Sequence, residues 1–221
     1  MNNKLKRFFL DLLFPRTCFG CKKEQTYLCQ DCESILEVFY THQKFKHPKL
    51  NDLYFAVSYE KLFVKRLITQ FKNQPFVKEL SQNLSQLIIN HFKLIEFNNH
   101  EFKDFLIIPV PLYIKRLKWR GFNQAEELAK HLSEFFEIPL INDVLIKSKQ
   151  TKLQMEISKE ERKQNVLGAF QCLNKERIKN KDILLIDDIY STGATLTESA
   201  RALKNSGAQK VIGIVIAIIQ P

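Results

Sequence analysis

The sequence predicts an α/β fold: a parallel sheet flanked by helices, preceded by a small cysteine-rich unit. Two observations carry this. Short, wholly apolar runs such as "FLIIPVPL" (105–112), "DILLIDD" (182–188) and "KVIGIVIAII" (210–219) alternate with stretches whose apolar residues recur at helical spacing. That alternation is the pattern of parallel strands buried on both faces. Four of the five cysteines lie close together near the amino-terminal end.

The bulk numbers agree with a folded chain. Of 221 residues, 45% are hydrophobic and 26% charged, which excludes a disordered polyampholyte. The length suits one domain with a small appendage. A formal charge of +10 favours polyanionic partners: nucleic acid, phosphorylated metabolites or an acidic membrane surface. A merely solvated basic surface is the alternative reading.

The elements follow in order. "MNNKLKRFFLDLLF" (1–14) is a short amphipathic helix rather than a secretion signal, because Asp11 interrupts it and no small-residue cleavage site follows. Cys18, Cys21, Cys29 and Cys32 form two Cys-x-x-Cys pairs. A two-residue gap lets a tight knuckle aim both sulfurs at one ion, and four thiolates close a tetrahedral structural zinc site. Two disulfides or four unrelated thiols are the competing readings, and disulfides do not suit a cytoplasmic chain. Gly20 is expected to supply positive φ in the first knuckle. Arg16, Lys22 and Lys23 crowd this unit. Cys172 stands alone and reads as a small core residue.

"THQKFKHPKLND" (41–52) is polar, carries Pro48, and reads as a linker. The expected organisation is residues 1–40 for helix and zinc finger, 41–52 for the linker and 53–221 for the main domain. Within that domain the expected strands are 53–59, 105–112, 182–188 and 210–219. The expected helices lie over 60–72, 76–92, 123–136 and 195–207, the last ended by Gly207. The apolar end, "VIGIVIAII", is too short to cross a bilayer, so no transmembrane segment is expected. The expected location is cytoplasmic, with the inner face of the membrane as a docking place.

Function is concentrated in "LLIDDIYSTGAT" (184–195). An apolar strand stops at Asp187 and Asp188, and Ser191, Thr192, Gly193, Ala194 and Thr195 lead into a helix. A helix amino-terminus offers N–H groups and partial positive charge, which suits a phosphate. Gly193 lets backbone approach it, and the hydroxyls add donors. The carboxylates one loop-width upstream suit sugar hydroxyls, or Mg²⁺ held through water. A sugar phosphate satisfies both halves. No G-x-x-x-x-G-K-[ST] occurs, which excludes a P-loop ATPase. A plain helix cap would not need two adjacent aspartates.

"ILLIDDIYSTGAT" resembles the phosphoribosyl-pyrophosphate (PRPP) loop of type I phosphoribosyltransferases. Together with "IPVPLYIKRLKWRGFNQAEELA" (108–129), "ERKQNVLGAF" (161–170) and the four cysteines, the chain resembles the ComF family of competence proteins. The resemblance implies a phosphoribosyltransferase-like sheet, and Asp187 and Asp188 on the ribose hydroxyls as the catalytic pair. It also implies Ser191 to Thr195 around the 5′-phosphate, and Mg²⁺ bound with PRPP. Lys115 and Arg116, with Arg120 nearby, would meet the pyrophosphate. The segment from Lys149 to Asn165 would close over the site, with Thr151, Gln154, Arg162 and Asn165 at family positions. Tyr113 stands where the family often has histidine, and Lys149-Gln150 precede Thr151 where arginine is common.

The same resemblance implies handling of incoming single-stranded DNA on the cytoplasmic side, with a competence helicase as partner. The segment "YIKRLKWRGF" (113–122) interleaves basic and aromatic residues; Lys115, Lys118, Trp119 and Arg120 are the candidate DNA contacts. The alternative function is an active phosphoribosyltransferase that transfers ribose 5-phosphate from PRPP to an acceptor, displacing pyrophosphate.

Overall fold

The structure, a computed structural model, describes residues 16–45, 47–73, 77–151 and 164–219. The expected helix over 1–14 and the positions Gln154 and Arg162 lie outside the described residues.

The centre is a parallel sheet. Strand β1 (Asp52–Ser58) pairs with the late strand β7 (Val211–Ile218), which pairs with β5 (Asp182–Ile186), which pairs with β2 (Phe105–Pro109). Beyond β2 the chain adds one more parallel bridge, Ile107 to Leu140. A two-residue strand β6 (Ile189–Tyr190) continues beside β7 past the end of β5. The register explains the apolar runs. Leu184 and Ile186 face one core while Ile183 and Leu185 face a second core across the sheet. Every residue from Ile183 to Ile186 is therefore apolar, with no polar side to alternate.

Helices cover both faces. On one lie α2 (Leu62–Lys72), α3 (Leu80–Leu94) and α5 (Gln124–Phe136), packed around Phe71, Phe92 and Phe136. Phe92 is the hub of an aromatic cluster, with Tyr54, Phe97, Phe102 and Phe136 at ring distances of 4.8, 5.1, 6.1 and 5.0 Å. Such tilted and edge-on pairs add stability beyond buried area. On the other face lie α6 (Ala194–Lys204) and a hairpin of β3 (Leu145–Lys147) with β4 (Phe170–Cys172). The hairpin strands have three residues each and carry no signal in the sequence. Cys172 is half-buried against this second core.

The cysteine unit sits on α2. Cys18, Cys29 and Cys32, with Leu28 and Leu36, join the same core as Val64 and Leu67. A short helix α1 (Gln30–Ser34) carries Cys32. The stretch after it lies along the sheet. The Phe39 N–H donates to the Ala56 carbonyl at 2.8 Å, His42 stacks on Tyr54 at 4.0 Å, and the Phe45 N–H donates to the Asp52 carboxylate at 2.9 Å. Part of the expected linker is therefore a strap fastened to β1.

Candidate functional site

Connection order locates the site. From β5 the chain runs through α6 to β7, toward β1; from β2 it runs through α4 (Ile114–Arg120) and α5 to Leu140, the opposite way. The carboxyl ends of adjacent strands whose connections diverge leave a crevice between them. Asp187 and Asp188 follow β5 there, and Val110 follows β2, its N–H bonded to the Ile186 carbonyl at 2.9 Å.

The acidic pair is fixed by backbone. The Asp187 N–H donates to the Ile214 carbonyl at 3.1 Å, and the Asp188 carbonyl accepts from Ile216 at 3.0 Å. One Asp187 oxygen accepts the Asp188 N–H at 2.9 Å. Both are buried, 8% and 3% exposed. Burial and the neighbouring Asp188 push the Asp187 carboxyl up to about 7, against the pull of Lys72 and Lys147. Lys72, at the end of α2, places its Nζ 2.7 Å from Asp188 Oδ1. Asp188 Oδ2 is buried with no hydrogen-bond partner among the described residues.

Two further cations stand close. Lys147 of β3 lies 5.2 Å from the Phe170 ring centroid. Burial first, then Arg116, depress it to about 8, and Asp187 opposes them. Arg120 is 8% exposed and donates to Gln124 Oε1. Burial lowers its proton affinity and Asp188 works against that. Cations from three separate elements thus converge on two carboxylates, which is what adjacent buried negative charges require.

The helix start beyond the pair has the expected form. Gly193 caps α6 at φ +72°, and its carbonyl accepts the Thr197 N–H at 2.8 Å. The Ala194 N–H reaches Thr192 Oγ1 at 3.4 Å. Ser191, Thr192 and Thr195 are half-buried. A side chain at 193 would collide with the ring of Tyr190, so glycine is required both for φ and for space. Glu198, on the same helix, accepts the Gly168 N–H at 2.7 Å and pairs with Arg201 at 2.6 Å, so α6 holds the chain just ahead of β4.

The segment 114–120 is a helix, and this sorts its basic residues. Arg116 and Arg120, four apart, are half-buried and buried; Lys115, Lys118 and Trp119 are exposed, Trp119 at 58%. Arg120, grouped by sequence with the DNA contacts, turns inward toward the acidic pair instead. Phe122 is core, 5.7 Å from Phe71. Gly121 at φ +83° ends the helix, and Asn123 begins the next by accepting from Ala125 at 3.2 Å while donating to the Val110 carbonyl at 3.0 Å.

The four cysteine sulfurs all lie within 4.8 Å of one another. A tetrahedral zinc with sulfur at about 2.3 Å needs sulfurs about 3.8 Å apart, so the cluster fits one ion. Burial would raise the Cys18 thiol, but the backbone N–H groups of Cys29, Cys21 and Gly20 overcome it and bring it down to about 6. Amides aimed at sulfur are the setting of a metal thiolate. Gly20 does not have the positive φ expected of it; that conformation falls to Lys22 and Gln25. Its role is room, since a Cβ there would lie 2.5 Å from Cys32 Sγ and 3.0 Å from Phe63.

Sequence reasoning missed Lys72 and Lys147. A lysine in a last helical turn is ordinarily read as balancing the helix dipole, and nothing local marks either residue as facing Asp187 or Asp188.

Residues 117–220 match the phosphoribosyl transferase domain model. The chain is 29% identical to competence protein F of Haemophilus influenzae over 88% of this chain and 86% of that protein. It is 37% identical to competence protein ComFC of Bacillus subtilis over 48% of this chain and 40% of that one. It is 30% identical to the DNA utilization protein YhgH of Escherichia coli (K12) over 48% and 45%. The match to competence protein F thus spans most of both proteins, while the chain spans less than half the length of the other two. Hypoxanthine-guanine phosphoribosyltransferase of Schistosoma mansoni aligns over 65% of this chain and 66% of its own at 12% identity and a TM-score of 0.29, too loose a superposition to bear on the site. No described helix is long and apolar enough to cross a membrane. With the acidic pair and helix start inside the matched segment, the chain has a phosphoribosyltransferase-type fold, an amino-terminal cysteine cluster that fits a zinc finger, and a sequence similar over most of its length to competence protein F.

Proposed function

We propose that this chain is a competence protein that holds a phosphoribosyl ligand, PRPP with Mg²⁺, at Asp187 and Asp188 and handles incoming single-stranded DNA on the cytoplasmic side of the membrane, in concert with a helicase. The observation that carries the ligand reading is the buried acidic pair in the crevice between β2 and β5, one loop ahead of the glycine-led start of α6. Asp187 and Asp188 accept from the ribose hydroxyls. The backbone and hydroxyls from Ser191 to Thr195 take the 5′-phosphate. Arg116, half-buried on α4, and Lys115 beside it supply the positive charge for the pyrophosphate. Mg²⁺, when bound, would neutralise the pyrophosphate. Cys18, Cys21, Cys29 and Cys32 hold a structural zinc.

The DNA reading rests on α4. Its inner face carries Arg116 and Arg120; its outer face carries Lys115, Lys118 and Trp119. One short helix thus serves the crevice and still offers cations and a stacking surface to a strand outside. The names of the relatives, two competence proteins and a DNA utilization protein, support the same role. Turnover is the second reading, favoured by the buried adjacency of Asp187 and Asp188, which pushes the Asp187 carboxyl up to about 7, the range suited to proton transfer at neutral pH. In that case pyrophosphate leaves C1 of the ribose and an acceptor takes its place.

Calorimetric titration of PRPP with Mg²⁺ is the test. Saturable heat is expected with the unmodified protein and not with Asp187→Ala/Asp188→Ala. No heat with the unmodified protein removes the ligand reading. Pyrophosphate release in the presence of candidate acceptors separates turnover from binding.

A further inference from the structure

Lys72 stands apart from the rest of the acidic site. It comes from α2, outside the segment that matches the phosphoribosyl transferase domain. It is not free to wander: Phe71 beside it is fully buried and packs on Phe122, and Asn73 closes the helix by donating to the Thr69 carbonyl at 2.8 Å. Its ammonium lies 2.7 Å from Asp188 Oδ1, with the lysine side chain 28% exposed and the aspartate side chain 4%.

A charged carboxylate accepts from sugar hydroxyls more strongly than a protonated one. Two adjacent carboxylates removed from water stay charged only if cations stand against them. In a site that depends on a divalent ion, the ion supplies that charge when the ligand arrives. Here the chain supplies it permanently, from a helix end fixed in the core, and among the described residues Asp188 still keeps one oxygen, Oδ2, without a partner.

We infer that Lys72 is a positioning residue, a resident counter-cation that keeps Asp188 ready for pentose hydroxyls without a metal, so that Mg²⁺ is needed only for the diphosphate of the ligand. The inference rests on the proposed ligand site and goes beyond it by dividing the two demands for positive charge. Lys72 answers the pentose, and the metal answers the pyrophosphate. Ribose 5-phosphate isolates the first demand, because it carries the pentose and the monoester but no diphosphate.

The experiment is calorimetry with ribose 5-phosphate, once with a chelator and once with Mg²⁺. The unmodified protein is expected to bind equally in both. Lys72→Met is expected to lose about tenfold or more in chelator, because Asp188 is left buried without its partner, and to regain most of that with Mg²⁺. Lys72→Arg, which keeps the charge, is expected to keep metal-free binding. Thermal unfolding of each variant confirms that it is folded, and the comparison of buffers on the unmodified protein needs no variant. Binding of ribose 5-phosphate by the unmodified protein only when Mg²⁺ is present overturns the inference and leaves the site reading standing. So does unchanged metal-free binding by Lys72→Met. No binding by the unmodified protein in either buffer overturns the site reading, and the inference with it.

Discussion

Replacing Gly193 by alanine tests the helix start directly. Two costs arise. An L-residue at φ +72° is in the left-handed region, at about 1–2 kcal/mol. The new Cβ also runs into the Tyr190 ring, which must turn away. That ring meets Phe45 edge-on at 5.4 Å, and losing such a pair costs about 0.5–1.5 kcal/mol. The sum is about 1.5–3.5 kcal/mol, a sizeable share of a typical domain's stability. Urea unfolding of four proteins reads it: unmodified, Gly193→Ala, Tyr190→Ala and the double variant. In the Tyr190→Ala background only the backbone cost remains, so the alanine should cost about 1–2 kcal/mol there. Equal costs in both backgrounds would show that the ring does not rest on Gly193. A cost below about 0.5 kcal/mol in the unmodified background would refute the left-handed conformation itself.

Other expectations are as specific. Asp187→Asn keeps the acceptor for the Asp188 N–H but removes the charge. The carboxyl is raised from 3.8 to about 7 on folding, so the folded state holds the proton more tightly and the native protein loses stability as pH rises from about 4 through about 7. The asparagine variant should escape that loss, gaining on the unmodified protein at pH 8 but not at pH 4 in urea unfolding; a constant difference would contradict the shift. Zinc removal by chelator, or Cys29→Ser, should lower the thermal midpoint, because the cluster shares a core with α2, and one zinc per chain should be released on thiol modification. Glu198→Gln weakens both the Gly168 and the Arg201 contacts and should cost about 1–3 kcal/mol in the same unfolding assay. Lys115→Ala/Lys118→Ala should weaken single-stranded DNA binding and flatten its salt dependence by about 1.4 in log–log slope, from about 0.7 per charge. Trp119→Ala should lower affinity with little change in that slope.

The parts of this molecule legible in the sequence are those in which neighbours in the chain are also neighbours in the site. The runs at β2, β5 and β7 betray a sheet buried on both faces because each residue needs an apolar partner on its own side. Asp187, Asp188 and the small residues after them stand out because they are adjacent in the chain and stay together at the end of β5 and the start of α6. The cysteine pairs declare themselves by spacing. Lys72 and Lys147 were hidden because only tertiary packing brings them to Asp188 and Asp187. Gly20 was misread for the same reason: the constraint on it is the Cys32 sulfur, twelve positions on. Arg120 and Trp119, adjacent in sequence, parted because a seven-residue helix turns one in and the other out. Fewer than two helical turns display too little periodicity to reveal that beforehand.

The position of β7 has a bearing on biosynthesis. It follows β1, β2 and β5 in the chain, yet lies between β1 and β5 in the sheet. While the ribosome is still translating residues ahead of 211, β1 and β5 each present an unsatisfied edge, and β1 has no partner strand at all. A nascent chain in that state exposes pairing surfaces to other chains. Closure of the sheet must await its middle, the Val211–Ile218 segment.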